Sequence, residues 1–193
     1  MNKTVRKIIS ALFAVIMLAA FIYLGIRDYS GDIHGGDKAR MARHFESLDG
    51  TNVFEILTYG ELGHFLNSGT GILVFCVKES PWCNRYLGYV NEVAKENNIE
   101  KVYYYDISRD RDSNTSLYRK VIEKTQEHLQ RNDKGNHFKL TPDLYVFKNG
   151  EIIGRNNYTA GMVGNITPEE YWTNLKIRNF KEELNDLFSK LTS

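Results

Sequence analysis

Cysteine and proline are scarce in this chain: two and three among 193 residues. Two cysteines exclude a miniprotein held together by a disulfide scaffold. No close cysteine pair accompanies the histidines, so a zinc-finger spacing is absent. His34, His44, His64, His128 and His137 also show no metal-ligand spacing with one another. Neither sign of charge predominates, since Lys+Arg is 25 and Asp+Glu is 24. A net charge of +1 gives a nucleic-acid-binding role no support. The sequence has no internal repeat, low-complexity tract, glycine-rich phosphate loop or Ser/His/Asp spacing, and nothing in it requires a cofactor or a metal. What it does have is a hydrophobic share of 42%, with 12 Tyr and 10 Phe. That composition suffices for one well-packed domain with appendages.

One appendage is N-terminal. Ile8 to Ile26 reads IISALFAVIMLAAFIYLGI, nineteen residues without a charge. As a helix rising ~1.5 Å per residue, this run reaches ~28 Å, about the thickness of a bilayer's hydrocarbon core. Lys3, Arg6 and Lys7 precede it, which predicts a cytoplasmic tail over 1–7, a single-pass anchor over 8–26 and everything beyond Arg27 outside. The alternative is a cleaved signal peptide, but Leu18 stands where such a site wants a second small residue, and the apolar run continues past Ala19 and Ala20. Residues 27–52 read as a spacer. Ser30, Gly31, Gly35 and Gly36 interrupt any pattern, and Asp37 then caps a short helix presenting Met41, Phe45 and Leu48.

From 53 onward, strand and helix signals alternate. Val53 to Leu57 is a short strand. Thr58 and Glu61 form a capping box for a helix carrying Leu62, Phe65 and Leu66. Ile72 to Val77 is apolar on both faces, as a central strand is. A helix follows from about Trp82 to Asn97, then a strand over Lys101 to Ile107 and a third helix from about Ser113 to Arg131. Asn149-Gly150 joins Leu144–Lys148 to Glu151–Gly154 as a type I′ hairpin. Thr167 caps a last helix toward Leu191, with Pro168 at its first position. The order β-α-β-α-β-α-β-β-α predicts an α/β fold, a central mixed sheet flanked by helices over residues 53–193.

Two segments resemble the thioredoxin-like superfamily. One is Ser80-Pro81-Trp82-Cys83-Asn84-Arg85-Tyr86 after the central strand. The other is Thr141-Pro142-Asp143 running into the strand and the Lys148-Asn149-Gly150 turn. A narrower likeness, carried by the helix around Tyr118 and by Asn156-Asn157-Tyr158-Thr159, is to membrane-anchored thioredoxin-like proteins of Gram-positive bacteria, some of them labelled bacteriocin-transport accessory proteins. The chain departs from the Cys-x-x-Cys motif, because Tyr86 stands in the second cysteine position. The resemblance implies that Cys83 is the attacking thiol and that Trp82, Tyr86, Thr141 and a cis Pro142 contact substrate. An ordinary trans proline is the alternative at 142. Cys76 reads either as a buried small hydrophobe or as a second thiol beneath the active-site turn that pairs with Cys83.

The function so implied is monothiol thiol–disulfide handling by a membrane-tethered, outward-facing protein, with a protein or peptide substrate at the membrane surface. The competing reading is a redox-inactive module that binds a partner within an export or envelope-assembly system. Either way the topology has a direct check. External protease on intact cells should release a fragment that begins after Arg27, and complete protection of the globular part would refute the orientation.

Overall fold

The computed structural model describes residues 34–131, 135, 137–157 and 166–192, with Phe13, Val15, Ile16, Met17 and Ala19 before them. The chain divides into two compact units, Met1–Gly36 and Asp37–Ser193. The anchor expected over 8–26 lies mostly outside the described residues. The five described there are helical and exposed. No helix among the described residues is long and apolar enough to cross a membrane.

In the second unit the elements run α1 (Asp37–His44), β1 (Phe54–Ile56), α2 (Tyr59–Ser68), β2 (Gly71–Cys76), α3 (Pro81–Glu96), β3 (Val102–Asp106), α4 (Ser108–Asp112), α5 (Ser116–Thr125), β4 (Gln130–Arg131), β5 (His137–Phe138), β6 (Asp143–Lys148), β7 (Glu151–Asn156), α6 (Pro168–Tyr171) and α7 (Asn174–Thr192). Five strands form one sheet in the order β1-β3-β2-β6-β7. β1 and β2 run parallel to β3, β6 is antiparallel to β2, and β7 is antiparallel to β6. Two parallel crossovers followed by an antiparallel hairpin, with β2 in the centre, make this a thioredoxin-like fold. β4 and β5 form a separate two-residue ladder that the sequence reading did not anticipate.

The sheet separates two apolar layers because successive side chains of a strand point to opposite faces. Ile72, Val74 and Cys76 of β2 meet α3 and α7 through Val90, Phe180 and Leu184. Leu73 and Phe75 meet α2 and α5 through Leu62, Leu66, Leu117 and Val121. All five apolar positions of β2 after Gly71 are fully buried, as its unbroken apolar run required.

Several expected boundaries shift. The helix expected over Ser113–Arg131 is α5, which starts at Ser116 and gives way after Thr125 to a 3₁₀ turn at Gln126–His128, and a separate short helix, α4, precedes it. Thr115 is the reason for the later start: its side chain accepts from the Tyr118 N–H and caps α5. The last helix is split. Thr167 and Glu170 form a capping box over the short α6, and the chain leaves helical geometry at Trp172 before α7. The segment read as a spacer belongs in part to the domain. Met41 and Phe45 are fully buried and join the core cluster. Asp37 does not cap α1 as expected but opens it, and its Oδ2 accepts from the Ile56 N–H at 2.8 Å. It also pairs with Arg40. That contact satisfies a backbone donor on the edge strand β1, where an unpaired N–H would invite another chain.

The hairpin turn behaves as its sequence requires. Asn149 and Gly150 have φ of 54° and 80°, the left-handed pair of a type I′ turn. The Gly150 N–H donates to the Gly69 carbonyl at 2.7 Å, and a Cβ there would collide with the Asn67 backbone. Gly150→Ala should therefore cost more than about 1 kcal/mol in urea unfolding, beyond the ordinary glycine-to-alanine penalty at a left-handed position. Unchanged stability would show that the α2–β7 approach is slack.

Candidate functional site

The site forms where β2 ends and the chain turns back into α3. β2 stops at Cys76, and α3 begins at Pro81 with Ser80 as its N-cap. Only Val77, Lys78, Glu79 and Ser80 lie between, and Glu79 takes a left-handed φ of 60° to complete the reversal. Proline at the first helical position fixes the start, because its missing N–H would have no helical partner there.

This reversal brings the two cysteines together as a disulfide, with Cα atoms 5.8 Å apart. The pairing corrects the monothiol reading of Cys83. A strand continuing straight past Cys76 would have carried the chain away, but the tight turn folds it back. Neither sulfur is exposed, and no cysteine is free. The Val77 N–H points at the Cys83 sulfur, 3.3 Å away. Cys83 itself lies inside the first turn of α3, with its N–H donating to Ser80 Oγ at 3.4 Å. Ser80, the half-buried N-cap of α3, stands three residues before Cys83.

Tyr86 is not part of a substrate surface. It is fully buried one turn inside α3. Its hydroxyl donates to Asn156 Oδ1 at 2.9 Å, and its ring lies 4.8 Å from that of Phe180. Burial pushes the phenol well above its ordinary pKa, and the charge of Asp143 adds to the effect. Asn156 in turn donates from Nδ2 to Glu183 Oε2 at 2.7 Å, so Tyr86 ties β7 to α3 and α7. Trp82, by contrast, is half-buried at the helix start, with Tyr171 edge-on at 5.6 Å.

The Thr141–Pro142 bond is cis. Thr141 is half-buried and Pro142 buried. The β2–β6 ladder ends at the pair Phe75 and Asp143, so one further step of the register sets Pro142 across from Cys76. The cis-proline turn and the disulfide therefore share one end of the sheet. Of the residues that the sequence reading grouped as one site, Trp82, Cys83, Tyr86, Thr141 and Pro142, the register concerns Pro142 alone, which it sets at the strand end that carries Cys76. Tyr86 is the member that the structure removes.

The sequence reading missed a charged cluster beneath this turn. Lys139 and Asp143 are both fully buried, with Lys139 Nζ 2.8 Å from Asp143 Oδ2. Lys139 also donates to the Tyr145 hydroxyl at 3.0 Å, and the Tyr145 hydroxyl donates to Asp143 at 2.7 Å. Arg155 from β7 donates through Nε to Asp143 Oδ1 at 2.9 Å. The ammonium sits 4.6 Å from the Phe75 ring centre and 4.4 Å from that of Tyr145. Burial holds the Lys139 pKa below its ordinary value, against the pull of Asp143. The only signal in the sequence is a lysine and an aspartate flanking Thr141-Pro142 at a spacing of four.

No protein-family profile matches the chain, and no curated protein matches it. Among solved structures, thioredoxin O2 from Arabidopsis thaliana in its oxidised state is similar, at 15% identity and a TM-score of 0.41. The likeness covers 71% of this chain and 96% of that one. At that score it adds no argument to the strand order and connections described above, on which the thioredoxin-like fold rests.

The buried cluster yields a test of what holds the proline turn. Lys139→Met removes one partner of a buried pair and leaves Asp143 with Arg155 and Tyr145 alone. A loss on the order of 3 kcal/mol in unfolding free energy is expected. A neutral result would show that Arg155 alone neutralises Asp143.

Proposed function

We propose that this protein is a membrane-tethered thioredoxin-like module that binds an extended segment of a partner protein outside the cell, with its disulfide acting as a structural link. The observation that carries this reading is the burial of both sulfurs in one disulfide, while Trp82 and Thr141 beside them keep exposed surface. An exchange reaction needs an attacking thiolate in line with an accessible sulfur. Here the N-cap of α3 is Ser80, which cannot form a mixed disulfide. The half-buried Trp82 ring and the backbone at Thr141 suit an extended chain laid across the cis-proline turn. The charge-free run over 8–26 supports the tether, and Phe13, Val15 and Ile16 within it are 66%, 64% and 62% exposed, as lipid-facing residues would be. The lysines and arginine before that run support the outward orientation. The resemblance to bacteriocin-transport accessory proteins is consistent with a partner in an export system.

Thiol–disulfide handling is the second reading, and one contact favours it. After reduction, the Val77 N–H and the first turn of α3 would both favour a Cys83 thiolate. Cys76 would then be the resolving partner.

Two measurements on the full-length protein in detergent separate these readings. In an insulin-reduction assay with dithiothreitol, the protein should add nothing to the uncatalysed rate. Catalysis that disappears in Cys76→Ser would replace the binding reading with the exchange reading. A reduced and alkylated polypeptide, which stays extended, should bind the wild type, and Trp82→Ala should weaken that binding several-fold. No binding by the wild type would overturn the proposal.

A further inference from the structure

A cavity of about 700 Å³ lies at the carboxyl ends of β1 and β3. Its size suits a small organic ligand, and open α/β sheets bind ligands beyond their strand carboxyl ends. Neither cysteine lines it, nor do Thr141 and Pro142, and it meets the β2–α3 turn through Lys78.

Three side-chain donors in this cavity, from Tyr104, Lys78 and Arg109, have no partner among the described residues. Tyr104 lines it and is only 1% exposed, and its hydroxyl has no protein partner among the described residues. A buried, unpartnered hydroxyl is rare enough to need a reason. Burial also raises the Tyr104 pKa far above its ordinary value, so the group stays an O–H donor. Lys78 and Arg109 line the same cavity, and neither side chain has an ion pair or hydrogen bond among the described residues. The two carboxylates, in contrast, are engaged. Asp106 accepts from the Ser108 N–H, the Ser108 hydroxyl and the Lys78 N–H, at 3.0, 2.6 and 3.4 Å. Asp110 accepts from the Tyr105 hydroxyl at 2.6 Å and the Thr115 hydroxyl at 2.7 Å. Arg40 is paired with Asp37. Ile56 and Leu57 supply an apolar wall.

We propose that this cavity binds an organic carboxylate, either a free acid or the carboxyl end of a peptide. Lys78 and Arg109 hold the carboxylate, Tyr104 donates to a second acceptor on the ligand, and the apolar body rests on Ile56 and Leu57. Charge-assisted hydrogen bonds from a guanidinium and an ammonium give this class its advantage over neutral analogues.

The test is calorimetric titration of the full-length protein in detergent with three probes: phenylpropionate, N-acetyl-Leu-Phe, and the C-terminal amide of that dipeptide. The acids should bind, and the amide should bind about tenfold more weakly. The double variant Lys78→Gln/Arg109→Gln should remove the difference between acid and amide. Tyr104→Phe should weaken acid binding about fivefold without lowering Tm, because it deletes a hydroxyl that has no partner to lose. Binding of phenylpropionate alone would assign the site to free acids, and binding of both acids would assign it to peptide carboxyl ends. Absence of binding by all three probes would overturn the proposal, and so would equal binding of acid and amide. A lowered Tm in Tyr104→Phe would overturn the role given to its hydroxyl.

Discussion

The reversal of the chain between Cys76 and Cys83 is the constraint around which the rest is arranged. β2 is buried on both faces and ends abruptly, so the next four residues must turn the chain and start a helix at once. Ser80, Pro81 and the left-handed Glu79 accomplish this locally. The disulfide then fixes the strand end to the first turn of α3. With that angle set, one face of α3 meets the sheet and another meets α7, where Phe180 gathers Tyr86, Tyr89 and Trp172 at ring separations of 4.8, 6.3 and 5.0 Å.

The same end of the sheet is braced by charge as well as by covalent linkage. Asp143 is the first residue of β6, and it collects the buried Lys139 and Tyr145 and the half-buried Arg155. Its carboxylate thus joins the segment before the cis proline to the edge strand after the hairpin. A buried ion pair is weak evidence for net stability, since desolvation offsets much of the attraction. Its geometric effect is more certain. Each partner removed would leave a buried charge, so the turn is held to a single arrangement.

The strand order was legible because it rests on patterns of local origin: a doubly apolar β2, the Thr58 capping box, and the Asn149-Gly150 turn. The capping box is present in full, and both turn residues take positive φ. Helix breaks were less legible. Trp172 interrupts an apolar periodicity that continues across it, and a periodicity does not record where backbone donors find a cap. The disulfide was readable in principle. A strand ending at Cys76 and a helix opening at Pro81 leave too few residues to carry the chain anywhere but back. The pairing stood as one of two readings of Cys76, because a strand continuing to Lys78 or Glu79 would have carried the chain away from it. Lys139 and Asp143 were beyond reach for another reason, since burial of a charged pair depends on Phe75 and Tyr145 arriving from other strands.

Tyr86 bears on how such a chain can change over time. Its position in the resemblance is that of a second motif cysteine, but the residue there now supplies volume. A cysteine in its place would leave a void among Phe180, Asn156 and the sheet, on the order of a large-to-small core replacement costing ~3 kcal/mol. Asn156 would also lose the donor it receives from α3. A lineage carrying this core is therefore separated from a Cys-x-x-Cys chemistry at 83–86 by an intermediate of reduced stability. The shorter mutational route to a reactive pair runs through Ser80, whose side chain already stands at the N-cap of α3, three residues before Cys83.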